Sequence, residues 1–62
     1  MPHTTVYPGQ LWQEMASGRQ FEVSQVTELP NEEIWVGYTS RETGAKRTSL
    51  LTEWLERMSL IH

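Results

Sequence analysis

A mainly β domain is the fold class that this sequence predicts, as a small barrel of about five strands with one short helical or 3₁₀ turn before the last strand. Three observations predict it. The stretch from Glu33 to Ser40 is rich in β-branched and aromatic residues and alternates as a half-buried strand does. Glycines and prolines divide the rest of the chain into short segments. Towards the C-terminal end, the apolar spacing changes from two to about 3.6 residues, which is typical of a helix.

The segment from Glu33 to Ser40 is predicted to be the central strand. Successive side chains of a strand point to opposite faces. The face towards the core is predicted to carry Ile34, Val36 and Tyr38. The outward face is predicted to carry Trp35, Gly37 and Thr39.

Two strands are predicted before the central one. The turn signal Pro8-Gly9 starts a short strand, Gln10 to Glu14, in which Trp12 should face inward because burying the larger side chain gains more. A hairpin loop at residues 15–18, with Gly18 at positive φ, leads to a second strand from Arg19 to Glu28. Val26 is out of phase with the earlier apolar positions of this strand, which predicts a bulge or bend at Ser24-Gln25.

Two turns flank the central strand. Residues 29–32 form the first, with Asn31 tolerating the left-handed conformation. Arg41 to Gly44 close the next hairpin, with Gly44 in the left-handed position. The fourth strand is predicted at residues 45–50, with Thr48 and Leu50 facing inward and Arg47 and Ser49 facing outward.

A short helical segment is predicted next. Its apolar positions recur at helical spacing and are Leu51, Trp54, Leu55 and Met58. Ser49 or Thr52 is the predicted N-cap. A final short strand, Ser59 to Ile61, is predicted to bury Ile61.

The length of 62 residues allows one domain. The predicted organisation is a flexible arm at residues 1–7 and a single domain at residues 8–62. A chain of this size buries only roughly 60% of its unfolded surface, so it usually needs a disulfide, a metal or a partner subunit. There is no cysteine, and His3 and His62 lie at opposite ends where fraying is expected. No metal site and no cofactor are therefore predicted, whereas self-association is.

Charge and hydropathy restrict the environment and the partners. The net charge is −3, which disfavours general nucleic-acid binding because such proteins are usually basic. The charges are segregated into a basic group around Arg41, Lys46 and Arg47 and an acidic group around residues 28–33. No apolar run approaches the roughly 20 residues that span a bilayer, and no leader pattern is present. A cytoplasmic protein without membrane association is expected.

The order of elements resembles an SH3-like barrel over residues 8–61. At the residue level the chain is similar to certain short phage- or prophage-borne proteins of uncharacterised function. The first shared motif is Pro8-Gly9 followed by an aromatic residue, here Trp12. The second is Ser49 followed by Trp54, Leu55 and Met58. Neither motif implies a catalytic residue. The pore segment of plasmid-type dihydrofolate reductases is absent, and the likeness to KOW modules is too loose to imply RNA binding.

Enzyme chemistry is not predicted. The chain has neither Cys nor Asp, and no Ser or Thr has an evident base beside it. Glu32 and Glu33 are neighbours whose side chains would point to opposite faces, so they would not form a carboxylate pair. The four glycines are isolated and do not form a phosphate-binding loop.

The predicted function is protein binding, with another protein or a second copy of the chain as partner. An exposed tryptophan on a central strand beside a glycine leaves a flat apolar patch, which is typical of an interface. The predicted binding residues are Trp35, Gly37, Thr39 and Arg47, and Arg47 or another neighbour can instead cover Trp35. One alternative is weak nucleic-acid binding by Arg41, Lys46 and Arg47. A second alternative is a homo-oligomeric barrel with a ligand pore.

Overall fold

The computed structural model describes residues 5–62, which form one antiparallel sheet and one helix. The elements are β1 (Leu11–Glu14), β2 (Gln20–Glu28), β3 (Ile34–Ser40), β4 (Lys46–Leu50), α1 (Leu51–Arg57) and β5 (Met58–Leu60). The strand order is β4-β3-β2-β1-β5. The prediction of a mainly β domain with one short helix before the last strand is confirmed. The sheet is open, with β4 and β5 at its edges.

The turn that leads into β1 has the predicted form. Gly9 has a φ of 92°, and the Gln10 amide donates to the Tyr7 carbonyl at 3.3 Å. The Gln10 side-chain oxygen accepts from the Tyr7 amide at 2.8 Å and from the Trp12 indole N–H at 3.0 Å. Trp12 is buried, so its predicted inward orientation is confirmed.

The predicted bulge in β2 is present. Val23 pairs with Tyr38 and Gln25 pairs with Gly37, so Ser24 is the extra residue between two consecutive positions of β3. A bulge bends its strand and restores the side-chain phase after it. Val26 consequently packs against the core, as predicted.

The core lies on the Val36 side of the sheet, under α1. Its buried members are Val6, Trp12, Val23, Val36, Trp54 and Met58. The Trp54 ring contacts the edge of Trp12 at a centroid distance of 5.7 Å and lies tilted against Tyr38 at 4.8 Å. Phe21 meets Tyr38 in a T-shaped contact at 5.3 Å. Phe21 and Tyr38 are half-buried and close one side of this aromatic cluster.

Val6 belongs to the core, although it falls in the predicted flexible arm. Its exposed fraction is 0%. The packed part of the chain therefore begins before residue 8. The remainder of the predicted arm, residues 1–4 with His3, lies outside the described residues. At the other end, His62 is not frayed, because its amide donates to the Leu11 carbonyl and its carbonyl accepts from the Leu11 amide.

The predicted phase of β4 is wrong. Ser49 pairs with Val36 and is buried, whereas Thr48 pairs with Gly37 and is exposed. Leu50 is half-buried on the same side as Thr48. The small Ser49 side chain fits beneath α1, and its hydroxyl donates to the Leu50 carbonyl at 3.2 Å, so burial leaves no unpaired donor.

α1 differs from the prediction in its cap and in its apolar face. The N-cap residue is Leu50, with no side-chain cap hydrogen bond, in place of Ser49 or Thr52. Trp54 is the buried residue of the helix, and Leu55 is 47% exposed because seven residues bury only a narrow stripe. No helix within residues 5–62 has both the length and the apolar content to cross a membrane.

β5 begins one residue earlier than predicted, at the buried Met58. Met58 therefore belongs to both the helical apolar pattern and the last strand. Ile61, the predicted core residue, is half-buried beyond the end of β5, where its amide donates to the Leu11 carbonyl at 2.8 Å.

Each of the three hairpins has one residue in the left-handed conformation, and the hairpin between β2 and β3 places Glu there. Gly18 and Gly44 have φ values of 75° and 77°, and Glu32 has a φ of 69°. The amides of Gly18 and Gly44 donate to the last carbonyl of the preceding strand, whereas the Glu32 amide donates to the carbonyl of Leu29, the residue after β2. The prediction that Asn31 would take this conformation is wrong. Asn31 instead accepts a hydrogen bond from the Glu33 amide at 3.3 Å.

We expect Glu32→Gly to stabilise the protein by about 0.5–1 kcal/mol, because a left-handed conformation strains any residue with a Cβ. Urea denaturation followed by tryptophan fluorescence measures the difference. Glu33→Gly is the matched control, since it removes the neighbouring carboxylate at a position without positive φ, and it should lower stability. If the two variants changed the free energy of unfolding equally, the gain would come from the loss of a negative charge and not from relief of backbone strain.

Candidate protein-binding face of the sheet

The surface of the sheet opposite the core is built from three rows of side chains across β2, β3 and β4. Residues paired across antiparallel strands point to the same face, so the registers define each row. The rows are Thr27, Trp35 and Leu50; Gln25, Gly37 and Thr48; and Glu22, Thr39 and Lys46. These residues form what we call the Trp35 face.

Trp35 lies at the apolar end of the Trp35 face. It is half-buried between its cross-strand neighbours Thr27 and Leu50, and it points away from the buried Val36. The predicted orientation of Trp35 is therefore confirmed, with partial cover. Part of the indole remains accessible on a central strand, where contact costs little side-chain entropy.

Gly37 makes a notch in the middle row. A Cβ at this position would lie 3.5 Å from Ser24 Oγ and 3.6 Å from Gln25 Cβ, which is ordinary van der Waals contact. The bulge brings Ser24 to the edge of the notch. A shallow depression of about 340 Å³ results, with Trp35 as its largest apolar wall.

The remainder of the Trp35 face offers hydrogen-bonding and charged groups. The Gln25 side-chain amide donates to Thr27 Oγ1 at 2.9 Å, which fixes both side chains next to Trp35. In the last row, Glu22 and Lys46 flank Thr39. An apolar end, a central notch and a charged end thus follow each other along one surface.

The structure places three of the four predicted binding residues in the rows of the Trp35 face and the fourth, Arg47, at the rim of the depression beside Trp35. Trp35, Gly37 and Thr39 share the Trp35 face, whereas Arg47 pairs with Tyr38 on the core side of the edge strand. Arg47 borders depressions on both sides of that strand. The sequence did not reveal the cross-strand members of the face: Glu22, Gln25, Thr27, Thr48 and Leu50. The strand registers that align them depend on the bulge and on the hairpin turns.

Two of the three basic residues of the alternative site, Lys46 and Arg47, border one depression on the Trp35 face. Arg41 lies in the β3–β4 turn and does not line that depression. Glu22 stands two strands away from Lys46 in the same row, and Glu42 borders the same depression as Arg47. Carboxylates therefore interrupt the positive charge on both sides.

A second depression, of about 370 Å³, lies on the core side beside the Phe21–Tyr38 pair. Its rim is charged, with Glu14, Arg19, Glu42 and Arg47 among the lining residues. Ser40 Oγ accepts from the Glu42 and Thr43 amides, each at 3.3 Å. These contacts assign that hydroxyl to the turn.

Within residues 5–62, no cluster of three or more His, Cys, Asp or Glu side chains is arranged so that it could hold a metal ion. What the described surface offers chemically is an accessible indole, a backbone notch and neutral hydrogen-bonding groups.

Protein-family models, curated proteins and solved structures were each compared with the chain, and none of the three comparisons found a match.

Proposed function

We propose that this protein is a non-catalytic binding module and that the Trp35 face is its protein-binding surface. The observation that carries the proposal is the half-buried indole of Trp35 beside the notch at Gly37 on a central strand. Tryptophan is strongly enriched among the residues that dominate binding energy, and such residues lie next to pockets that a partner fills. Thr27, Gln25 and Thr48 supply the polar surround that a specific interface requires.

A protein partner is favoured over nucleic acid by the distribution of charge. Binding to phosphates needs several cations on one surface. Here Lys46 and Arg47 border one depression, but Glu22 lies in the row of Lys46, Glu42 borders a depression together with Arg47, and the chain carries a net charge of −3. The apolar end of the Trp35 face is better suited to an apolar side chain of another protein than to a polyanion.

We propose further that the sheet curls as an SH3-like barrel does. The strand order, the bulge in β2 and the position of α1 between the two edge strands support this arrangement. In such a curved sheet the Trp35 face is the convex side and stays open to a partner.

We expect Trp35→Ala to abolish partner capture while the chain remains folded. Because Trp35 is only half-buried, the free energy of unfolding should fall by less than about 2 kcal/mol. The measurement is capture from host lysate by the tagged chain, with and without nuclease, alongside circular dichroism of each variant. Tyr7→Ala is the matched control, because Tyr7 is an exposed aromatic residue outside the Trp35 face, and it should leave capture unchanged.

Gly37→Ala tests the notch without deleting a side chain. The added methyl group meets its neighbours at ordinary contact distances, so the fold should tolerate it and capture should weaken. Capture that disappears with nuclease, or that declines steeply with salt, would support the nucleic-acid alternative. Unfolding of Trp35→Ala would show that Trp35 is a core residue.

A further inference from the structure

The edge strand β4 presents free backbone groups that define a second interaction surface. The Ser40 amide donates to the Ala45 carbonyl at 2.9 Å, which sets the alternation of hydrogen-bonded pairs along the β3–β4 ladder. Arg47 and Ser49 consequently bond to β3. The amides of Thr48 and Leu50 and the carbonyls of Lys46 and Thr48 point away from the sheet. The side chains of residues 46–48 are exposed, so no described residue shields this edge.

The other edge of the sheet is less suited to pairing. β5 has three residues, and a very short edge strand is one of the devices that prevent edge association. β4 has five residues and contains no proline. The ladder can therefore be extended more readily at β4 than at β5.

Opposite charges mark the two ends of β4. Arg41 and Lys46 lie at the end where the strand begins. Glu32 and Glu33 lie at the other end, where they border a depression together with Leu50. An antiparallel strand with the same charge pattern would place its acidic end against the basic end of this one, and a parallel strand would place like charges together. The chemistry that fits this edge is that of a second copy of the chain.

We propose that β4 pairs with β4 of a second copy about a two-fold axis at Thr48. In that register the Thr48 amide of each copy donates to the Thr48 carbonyl of the other, and the Leu50 amide donates to the Lys46 carbonyl. Lys46 then lies opposite Leu50 of the other copy. Glu33 of that copy precedes β3, and its carbonyl accepts from the Leu29 amide at 2.8 Å, so the β2–β3 pairing extends to it and its side chain lies on the same face as Trp35. The side chains of Lys46 and of Glu33 in the other copy are long enough to meet on this face.

Pairing about such an axis places both Trp35 faces on the same side of one continuous sheet. From the strand spacing and rise, the two Trp35 residues would lie about 20 Å apart. A partner with two suitable sites would gain avidity from this arrangement. The dimer depends on the β4 edge and its charges, and it does not depend on what the Trp35 face binds.

Sedimentation equilibrium on the full chain tests the edge directly. The concentrations should run from about 10 μM to about 1 mM, because a short edge buries little area and gives weak association. Thr48→Pro should raise the dimer dissociation constant at least about tenfold, because it removes the central amide. That amide makes no bond to β3, so the monomer keeps its ladder. Thr48→Val is the matched control, and it should dimerise as the wild type does. A wild-type chain that stays monomeric at about 1 mM overturns the proposal.

A charge exchange tests the antiparallel register without altering the backbone. Lys46→Glu and Glu33→Lys should each weaken the homodimer, because like charges then meet at both ends. Mixing the two variants should restore association as a heterodimer, since each end again pairs opposite charges. Trp35→Ala should leave dimerisation intact while it abolishes partner capture. Sedimentation and capture therefore test the dimer and the Trp35 face separately. Absence of restoration in the mixture overturns the proposed register.

Discussion

Trp54→Ala is expected to unfold the domain. Trp54 is 1% exposed and lies between Trp12 and Tyr38, at ring-centroid distances of 5.7 and 4.8 Å. Truncating a buried tryptophan costs about 3–5 kcal/mol. The whole stability of a chain this short is of about the same size. Far-UV circular dichroism and urea titration should therefore show no cooperative transition for this variant at 25 °C.

Two further variants separate the effect of the lost side-chain volume from the effect of the position in the helix. Leu55→Ala changes the adjacent but exposed helical residue, and we expect a loss within about 0.5 kcal/mol. Trp54→Phe should cost much less than Trp54→Ala. Within residues 5–62 the Trp54 indole N–H is buried and has no hydrogen-bond partner, and removing an unsatisfied donor recovers about 1–3 kcal/mol of desolvation. A cooperative Trp54→Ala chain within 1 kcal/mol of wild type would contradict a core centred on this residue.

Val6→Asp is expected to lower the stability of the domain about as much as Trp54→Ala does. The Val6 side chain is fully buried among apolar residues, and an ionised carboxylate there would lose its hydration. The domain should either unfold or lose several kcal/mol of stability at neutral pH, with partial recovery in acid as the carboxylate is protonated. Urea titration at pH 7 and pH 4 measures both effects.

Thr5→Asp is the matched control for Val6→Asp. It introduces the same charge one residue earlier at an exposed position, and it should leave the unfolding free energy within about 0.5 kcal/mol of wild type. If Val6→Asp behaves like Thr5→Asp, Val6 belongs to the flexible arm that the sequence predicts, and the core does not require its side chain.

Local signals were sufficient to predict most of the sheet. The alternation in β3 gave the correct faces for Val36 and Trp35, and the phase error at Val26 located the bulge. These features follow from the period-two geometry of a single strand. The glycines at positions 18 and 44 likewise identified two hairpins, because few other residues adopt positive φ without strain.

Features determined by tertiary contacts were not predictable. β4 has a single apolar residue, Leu50, so its phase is decided by its register with β3 and by the space beneath α1. Val6 is an isolated apolar residue in a polar stretch, and only its contacts with distant parts of the chain reveal its burial. Tertiary packing overrides local preference in both cases.

The same limit applies to the candidate site. Trp35 and Gly37 were identified within one strand, where alternation is enough. Thr27 and Thr48 join them only through pairing with β2 and β4, and the bulge shifts one of those registers. Arg47 pairs with Tyr38 and still lines the depression beside Trp35, a position that depends on the register of β4 with β3. To predict a surface formed by three strands, one needs the two registers between the strands as well as the position of each strand in the sequence.

The pairing of β1 with β5 has a consequence for the order in which the sheet assembles. Strands β2, β3 and β4 are joined by short hairpins, so their contacts form between neighbours in sequence. Trp12 pairs with Leu60, across almost the full described length of the chain, and closing so long a loop carries a larger entropic cost. We therefore expect the β1–β5 ladder to form last and to open first. Each opening would separate Trp12 from Leu60 and expose the aromatic core, and the Trp35 face would stay assembled on β2, β3 and β4.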